Sequence, residues 1–336
     1  MSTANIWLRA LRGVPRLERA EWEQIGTVAR WLIATRAAVL IMTFISAALA
    51  GIFALRAAQF NFGLWLLVTL GLLMAHATNN LLNDMIDFAK GVDRGNYYRA
   101  QYGVQPLEAG FWTMRDAWRY ALITGGIAVA CGVALVWLRG GWTALLLAVG
   151  AFFVLAYTWP LKYVGLGEVA VLVVWGPLMI GGGYYVITGA WDWNAVLGGL
   201  PYALGTTMVI FGKHIDKLES DRAKGIRTLP VLLGDKLARA VALACMVLQY
   251  VLVVALVVVR FFTPIMLIVV LALRAFAITF QAFRQPKPAE RPAWFPADVW
   301  PTWLVAFAFY HNRTFGTLFL LGLLIETGLK LAGVVA

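Results

Sequence analysis

Long apolar segments alternate with short polar connections along most of the chain. Each segment approaches or reaches the length that a helix needs to cross the hydrocarbon core of a bilayer. The pattern therefore predicts an all-α, polytopic membrane protein with a bundle of about nine transmembrane helices. The predicted spans are residues 31–55, 62–88, 116–138, 142–160, 167–188, 195–215, 236–259, 262–283 and 314–333. Residues 299–310 are also apolar, which is compatible with a short interfacial helix before the last span.

Composition supports the membrane prediction. The chain has 336 residues, of which 61% are hydrophobic, and a mean hydropathy of +0.76, which is too apolar for an ordinary soluble domain. We expect one membrane-embedded domain over residues 1–336. The formal charge of +11 does not indicate nucleic acid, because lysine and arginine occupy short connections and form no continuous basic domain. Cys131 and Cys245 lie in apolar runs without a CxxC motif, so they predict neither a redox nor a metal site.

The charge distribution orients the predicted spans. Residues 1–28 mix arginine, glutamate and tryptophan, which indicates an interfacial amphipathic segment rather than a cleavable signal peptide. If the N-terminus is inside, only Arg56, Arg139 and Arg260 fall in the outer connections. We therefore predict a multi-pass protein of the cell (inner or plasma) membrane whose N-terminus and active-site loops are cytoplasmic. The basic residues then on the inside are Lys90, Arg94, Arg99, Arg115, Lys162, the cluster from Lys213 to Arg239, Arg284, Lys287 and Arg291.

A polar stripe ends the second predicted span, in the sequence HATNNLLNDMIDFAKGVD. Its members recur at steps of three and four residues, so they share one face of a helix. These residues could simply lie at the membrane–water interface, where a span ends. Polar groups at membrane depth, however, are costly unless they are paired or functional. Amide and carboxylate oxygens suit Mg²⁺ that is shared with substrate phosphates, which favours a diphosphate substrate. The stripe consists of His76, Asn79, Asn80, Asn83, Asp84 and Asp87.

A second charged cluster follows the sixth predicted span, in FGKHIDKLESDRAKGIRTLPVLLGD. As a helix, this segment would place Lys213, Lys217 and Asp221 on one side. The simpler interpretation is a solvated charged loop that satisfies the positive-inside rule. On the same membrane side as the stripe, however, the two clusters could bind a diphosphate both through Mg²⁺ and directly. The acidic residues are Asp216, Glu219 and Asp221, and the basic ones are Lys213, Lys217, Arg222, Lys224 and Arg227.

Three segments resemble the UbiA superfamily of intramembrane prenyltransferases. NDMIDFAKGVD, from Asn83 to Asp93, is most similar to the branch that prenylates 1,4-dihydroxy-2-naphthoate, as are YTWPLKYVGLGE and the following Gly-Pro and Gly-Gly-Tyr-Tyr pairs at 176–177 and 182–185. ESDRAKGIRTLPV fits the superfamily and also resembles the (bacterio)chlorophyll synthase branch. The second motif departs from the family pattern, because Lys217 stands where an aspartate usually precedes Asp221, and Asp216 lies one position away.

The resemblance implies transfer of an isoprenoid chain from a polyprenyl diphosphate donor to an aromatic acceptor, with Mg²⁺ as cofactor and membrane lipids as the surroundings. The acceptor that it implies is a quinone precursor such as 1,4-dihydroxy-2-naphthoate. The catalytic residues that it implies are Asn83, Asp84, Asp87, Asp221 and Tyr157, with Tyr184 and Tyr185 as further candidates to stabilise an allylic cation. The implied diphosphate-binding residues are Lys162, Lys213, Lys217, Arg222 and Arg227, and the implied metal ligands are Asp84, Asp87, Asp93, Asp216, Glu219 and Asp221.

Other functions remain open at the level of the sequence. A transporter or channel could also place acids in the membrane, but its sites would be expected near the midplane with internal repeats, which are not evident here. A catalytically inactive member of the superfamily could bind an isoprenoid lipid only. An intramembrane terpene cyclase would release diphosphate without an aromatic acceptor.

Overall fold

The computed structural model describes residues 3–92, 94, 98, 101 and 103–334, with side chains from residue 5 onward. This part of the chain is all-α and contains no strand. A short 3₁₀ turn, Leu161–Val164, follows α7. The helices are α1 (Thr3–Arg12), α2 (Arg19–Gln24), α3 (Thr27–Ala34), α4 (Ala37–Arg56), α5 (Phe62–Ala89), α6 (Met114–Arg139), α7 (Thr143–Ala156), α8 (Gly167–Thr188), α9 (Trp193–Asp216), α10 (Leu218–Ala223), α11 (Leu229–Leu233), α12 (Asp235–Val258), α13 (Pro264–Arg284) and α14 (Leu304–Leu331).

The membrane-spanning architecture follows the sequence prediction. Among the described residues, eight helices are long and apolar enough to cross a membrane: α4, α5, α6, α8, α9, α12, α13 and α14. α7 is apolar but shorter, with 14 residues. α9 lies in the centre and packs against α12 and α14, while α5 packs against α4 and α6. With α7 included, this arrangement confirms the predicted all-α multi-pass bundle.

The first predicted span, residues 31–55, is wrong at its start. The helix is interrupted between α3 and α4, where Arg36 adopts a left-handed backbone conformation with φ of 55° and ψ of 53°. Such a conformation is uncommon outside glycine and stops a right-handed helix. The membrane-spanning helix therefore begins at Ala37. The break points the Arg36 side chain toward α5, where it is bonded as described below.

The last span also begins earlier than predicted. Residues 304–310 are not a separate interfacial helix but the first turns of α14. The carboxylate of Asp216 accepts hydrogen bonds from the backbone N–H groups of Leu304 (2.8 Å) and Val305 (3.0 Å). Because the first N–H groups of a helix lack partners within the helix, this carboxylate caps the start of α14.

The middle of α8 is a π-helical stretch, Val174–Gly182, that contains Pro177. Proline has no N–H to donate and disfavours the regular α-helical bonding pattern, so a wider turn accommodates it. Trp175, Leu178 and Met179 from this stretch line the central cavity.

The N-terminal segment packs against the end of the bundle that carries the polar motifs. Ile6, Ala10, Leu17 and Trp22 are buried in one hydrophobic cluster with residues of α5 and α6. A second cluster, which includes Tyr202 of α9, joins α4, α8, α12, α13 and α14. Large apolar side chains also cover the outside of the spanning helices, as expected for a surface in contact with lipid.

Candidate active site

A large cavity of about 1290 Å³ lies among the described residues of the bundle. Its walls are mostly apolar and include Val68, Leu135 and Leu146. Its polar end carries Asn79, Asn80, Asn83, Arg36, Tyr157 and Lys213. Between Val68 and Asn83 the cavity follows α5 for 15 residue steps, or about 22 Å at the rise of an α-helix. The cavity can therefore accept a long apolar chain with a charged group at one end.

The polar stripe of α5 forms one side of the charged end. The Arg36 guanidinium donates hydrogen bonds to the Asn80 carbonyl (2.9 Å), Asn83 Oδ1 (3.2 Å) and Asp84 Oδ1 (2.9 Å). Asn83 Nδ2 in turn donates to Asp87 Oδ2 at 3.3 Å. Asp84 and Asp87 are both buried. The stripe is thus a connected network of polar groups, as buried polar groups require.

Lys162 connects the 3₁₀ turn to this network. Its ammonium group donates to both oxygens of Asp87, at 2.7 and 2.8 Å, and the lysine is only 3% exposed. Burial lowers the pKa of Lys162, while the charge of Asp87 opposes that shift. Lys217 and Asp221 also act on Lys162 electrostatically, so charges of both motifs meet at this lysine.

The second motif contributes a buried ion pair. Lys217 Nζ lies 3.1 Å from Asp221 Oδ1, and both side chains are buried. The motif is neither one continuous helix nor a charged loop throughout, because α9 ends at Asp216 and α10 begins at Leu218. Lys213 lines the cavity one turn earlier on α9. The charged end therefore combines four cations, Arg36, Lys162, Lys213 and Lys217, with the carboxylates of Asp84, Asp87 and Asp221.

Asp216 does not join this cluster, although the sequence predicts it as a metal ligand. Its two carboxylate oxygens accept hydrogen bonds from the start of α14, as described above, and Oδ2 also accepts from the Tyr98 hydroxyl at 3.1 Å. The residue is therefore engaged in fastening the last helix.

Glu219, Arg222 and Arg227 are likewise placed away from the cavity. Glu219 and Arg222 pair with each other at the surface, with an N–O distance of 2.9 Å and side chains that are 79% and 51% exposed. Arg227 is exposed as well. Asp93, which the sequence also predicts as a metal ligand, lies outside the described residues.

The predicted aromatic residues separate into two groups. Tyr157 lines the cavity at the charged end, where Arg36, Asp87 and Lys217 act on it electrostatically. Tyr185 lies near the opposite end, where its hydroxyl accepts a hydrogen bond from the Trp142 backbone N–H at 2.9 Å. Tyr184 is buried in the hydrophobic cluster around Tyr202. Tyr184 and Tyr185 are therefore placed as packing residues, remote from the charged groups.

Comparison with family models gives a match to the UbiA prenyltransferase family over residues 44–312. The matched range includes both charged motifs. The chain belongs to the UbiA family. This confirms the resemblance predicted from the sequence. The reaction class of this family is prenyl transfer.

Curated UbiA relatives are similar at modest identity. A 2-carboxy-1,4-naphthoquinone phytyltransferase of Synechocystis sp. is 29% identical over 175 residues, which cover 51% of this chain and 55% of the relative. The match thus spans about half the length of that relative. A 1,4-dihydroxy-2-naphthoate octaprenyltransferase of Bacillus subtilis is 25% identical over 303 residues, which cover 87% of this chain and 91% of the relative.

Solved structures of UbiA proteins share the fold. The structure of a UbiA homologue from Archaeoglobus fulgidus bound to GPP and Mg²⁺ superimposes with a TM-score of 0.60, at 14% identity, over 88% of this chain and 99% of that one. At this level of identity the likeness concerns the fold alone.

The donor set at the charged end suits Mg²⁺ only together with a phosphate ligand. No group of three or more acidic, histidine or cysteine side chains is arranged for a metal ion among the described residues. Asp84, Asp87 and Asp221 supply hard oxygen atoms, but each is paired with a cation. Mg²⁺ in proteins is often held by one or two carboxylates with substrate phosphates and water completing its shell. These residues therefore fit a Mg²⁺ ion that arrives with a diphosphate.

Sequence reasoning missed two parts of the site. Arg36 lies inside the first predicted span and belongs to neither sequence motif, although a charge inside an apolar segment is a signal of function. Glu168 and His214 form the second part: His214 Nδ1 lies 2.5 Å from Glu168 Oε1, and both residues are fully buried. Glu168 Oε2 also accepts from the Leu229 backbone N–H, so this pair joins α8, α9 and α11. No spacing in the sequence indicates this pairing.

Proposed function

We propose that this protein is a Mg²⁺-dependent prenyltransferase that transfers an isoprenoid chain from a polyprenyl diphosphate to an aromatic acceptor of the 1,4-dihydroxy-2-naphthoate type. The observation that carries the proposal is the position of the charged cluster at one end of a long apolar cavity. A polyprenyl diphosphate has the same distribution of chemistry, with a charged head on an apolar chain. Family membership supports the reaction class.

The four cations of the cluster would bind the diphosphate. In the reaction, the bond between the allylic carbon and the diphosphate oxygen breaks, and the same allylic carbon forms a bond to a ring carbon of the acceptor. That ring carbon gives up the group it carried, as a proton or, at the carboxylated position, as CO₂, and the ring becomes aromatic again. Arg36, Lys162 and Lys217 stabilise the negative charge that develops on the leaving diphosphate, and they need little reorganisation because their ion pairs already hold them in place.

The carboxylates would hold the metal. Asp84, Asp87 and Asp221 are the proposed ligands, and bound Mg²⁺ would supply further positive charge on the diphosphate oxygens. Asn83 positions Asp87 through its side-chain amide and accepts from Arg36. Tyr157 presents an aromatic ring to the cavity next to this cluster, where it can stabilise positive charge on the allylic fragment.

The apolar walls of the cavity would also keep water away from the reacting carbon. Water that reached the allylic carbon would hydrolyse the donor, so a cavity that surrounds the chain with aliphatic and aromatic groups favours transfer over hydrolysis. The naphthoate-type acceptor is supported by the names of the two curated relatives at 29% and 25% identity. We further propose that the charged end faces the cytoplasm, in agreement with the distribution of lysine and arginine.

The test is turnover by the purified protein in lipid nanodiscs. The protein is supplied with a polyprenyl diphosphate and 1,4-dihydroxy-2-naphthoate, with and without Mg²⁺, and both diphosphate release and product mass are measured. We expect Mg²⁺-dependent release and a product that contains the acceptor ring and the prenyl chain. Release without an aromatic product would indicate a terpene cyclase, and no release under any condition would contradict the enzymatic proposal.

A further inference from the structure

An arginine lies on the outer surface of the last spanning helix. Arg313 is on α14, nine residue steps after Leu304, and its side chain is exposed. Among the residues that the structure describes, it has no ion pair and no hydrogen-bond partner. The carboxylate of α14 itself, Glu326, is buried and pairs with Arg56 at 3.1 Å. Because a charge in contact with lipid is costly unless it is paired, Arg313 requires an anion from its surroundings.

The depth of Arg313 places its charge near the surface of the bilayer. α14 has 28 residues and is about 42 Å long, whereas the hydrocarbon core is about 30 Å thick. Shared between its two ends, the excess leaves roughly 6 Å of helix outside the core on each side. Arg313 lies about 13 Å from the start of α14, and a helical side chain points back toward the N-terminus of its helix. Its long stem can thus bring the guanidinium group to the level of the lipid headgroups.

Arg313 also lines a small groove of about 140 Å³ between α4 and α14. The wall from α4 is apolar and includes Ile41 and Phe44, which are exposed to 44% and 38%. On α14 the lining residues from Phe309 to Leu320 recur at steps of three and four, so they share one face of the helix. The groove therefore combines a mostly apolar surface, open to lipid, with one cation.

The groove is separate from the cavity that would hold the prenyl chain. Met42 and Phe309 line both spaces, so these two side chains form the wall between them. Arg313 lines the groove but not the cavity. A molecule in the groove would therefore contact the outer side of this wall without occupying the place of the donor chain.

We propose that the groove binds an anionic phospholipid, with Arg313 bonded to the headgroup phosphate and an acyl chain lying between α4 and α14. A guanidinium group matches phosphate oxygens with two parallel hydrogen bonds. A phospholipid offers both chemistries of the groove, since its phosphate lies at the headgroup level and its chains extend into the core. A headgroup with net negative charge suits the site better than a zwitterionic one, which brings a cation of its own.

A second copy of this chain is a poorer match for Arg313. On the described spanning helices, each carboxylate is either buried or lies in the first turn of its helix. None of them is therefore exposed at the depth of Arg313. The bound lipid does not depend on the proposed prenyl transfer, because it would occupy a different space and is measured by binding alone.

The test is lipid binding by the purified protein after its native lipid has been removed. Phosphatidylglycerol and phosphatidylcholine with the same acyl chains are titrated in turn, and bound lipid is counted by native mass spectrometry. We expect the wild type to bind phosphatidylglycerol more tightly than phosphatidylcholine. Arg313→Gln should weaken the binding of phosphatidylglycerol about tenfold, the usual effect of losing a charge-assisted hydrogen bond. Arg313→Lys should lose less.

A second variant tests the groove rather than the charge. Ile41→Trp keeps Arg313 but fills the space beside it, so it should also displace phosphatidylglycerol. Ile278→Trp is the matched control, because Ile278 is 41% exposed on α13 and lines neither the groove nor the cavity. Phosphatidylglycerol should raise the melting temperature of the wild type and of Ile278→Trp but not of Ile41→Trp, since a ligand that binds the folded state stabilises it.

Arg274→Gln is the matched control for charge. Arg274 is another exposed arginine on a spanning helix, and it lines neither space. Equal losses in Arg274→Gln and Arg313→Gln would overturn the proposal in favour of a general attraction to anionic lipid. Equal binding of the two lipids by the wild type, or undiminished binding of phosphatidylglycerol by Ile41→Trp, would overturn it as well. If Arg313→Gln weakened the binding of polyprenyl diphosphate and left that of phosphatidylglycerol unchanged, Arg313 would belong to the donor site and the proposal would be wrong.

Discussion

Asp87 and Lys162 depend on each other more than the sequence motifs indicate. Each is the close ion partner of the other, and both are buried. Removing one member of a buried ion pair leaves the other charge without its partner, at a cost of about 3–5 kcal/mol. We expect Asp87→Asn and Lys162→Met each to lower the melting temperature in detergent, and the double variant to recover much of that loss.

Activity should respond differently from stability in the same variants. Asp87→Asn, Asp84→Asn and the Asp87–Lys162 double variant should all lose about 100-fold or more in turnover, because each removes a proposed metal ligand. Diphosphate release at saturating Mg²⁺ is the measurement. Near-wild-type turnover by the double variant would show that this pair serves only the fold.

Asp216 and Lys217 are neighbours in sequence with separate proposed roles. Lys217→Ala should raise the KM for the polyprenyl diphosphate, because the leaving group loses one positive partner. Asp216→Ala should instead lower thermal stability by about 1–2 kcal/mol, since it uncaps α14, and should change the donor KM little. A larger rise in donor KM for Asp216→Ala than for Lys217→Ala would contradict this assignment.

The sequence predicts which residue types form the site, but it predicts only in part where their side chains point. The spacing of Asn83, Asp84 and Asp87 placed them correctly on one face, because α5 is continuous there. For the second motif the sequence left a helix and a charged loop open, and the break between α9 and α10 decides where each side chain points. One residue of helix corresponds to about 100° of rotation, so Asp216 turns to α14 while Lys217 meets Asp221.

The interruption between α3 and α4 suggests a test that separates backbone conformation from side-chain chemistry. Glycine adopts the left-handed conformation of Arg36 readily, whereas alanine does not, a difference of about 1 kcal/mol. We expect Arg36→Gly to be more stable than Arg36→Ala in thermal denaturation. Both should lose about 100-fold in turnover, since both lack the guanidinium group. Substantial activity in Arg36→Gly would mean that the break itself, and not the charge, is what the site requires.

The hydropathy pattern predicts which helices span the membrane but not the residue at which each helix begins. The length of the apolar segments identified the spanning helices, because a helix in contact with lipid needs a long apolar surface regardless of which helices it packs against. It did not identify the break at Arg36 or the early start of α14, since both depend on contacts with other elements: the Asn80 carbonyl in one case and Asp216 in the other.

For the molecule as a whole, the depth of the cavity should set the accepted prenyl chain. Gly150 lines the cavity, and a Cβ added there would meet no atom within 4 Å. Gly150→Leu should therefore fold but fill part of the chain-binding space. We expect it to lower kcat/KM about tenfold for octaprenyl diphosphate and much less for geranyl diphosphate, by the cost of a steric mismatch in a packed site.

Gly328→Leu is the matched control for cavity filling. Gly328 lies on α14 outside the cavity, and a Cβ added there also meets no atom within 4 Å. It should leave the donor preference unchanged. Equal losses for both donors in Gly150→Leu would indicate that the variant disturbs the fold rather than the chain-binding space.

The membrane orientation can be tested on a background without native cysteines, with Cys131 and Cys245 replaced by alanine. Ala223→Cys lies at the charged end and Ala190→Cys lies between α8 and α9, and both positions are exposed. In intact cells, a membrane-impermeant maleimide should label Ala190→Cys and spare Ala223→Cys until the membrane is opened, because the lysine and arginine pattern predicts a cytoplasmic charged end. The reverse labelling would invert the topology.

The hydrogen bonds of Arg16 join residues that are 284 positions apart, and Asp216 is fastened to residues near position 304. During synthesis, both motifs leave the ribosome well before the last helix does. The nascent bundle would therefore hold its charged residues for some time without the bonds from Arg16 to residues near position 300 and without α14 to bind Asp216. An unfinished chain would thus carry the residues of both motifs before the helix that Asp216 caps has joined the bundle.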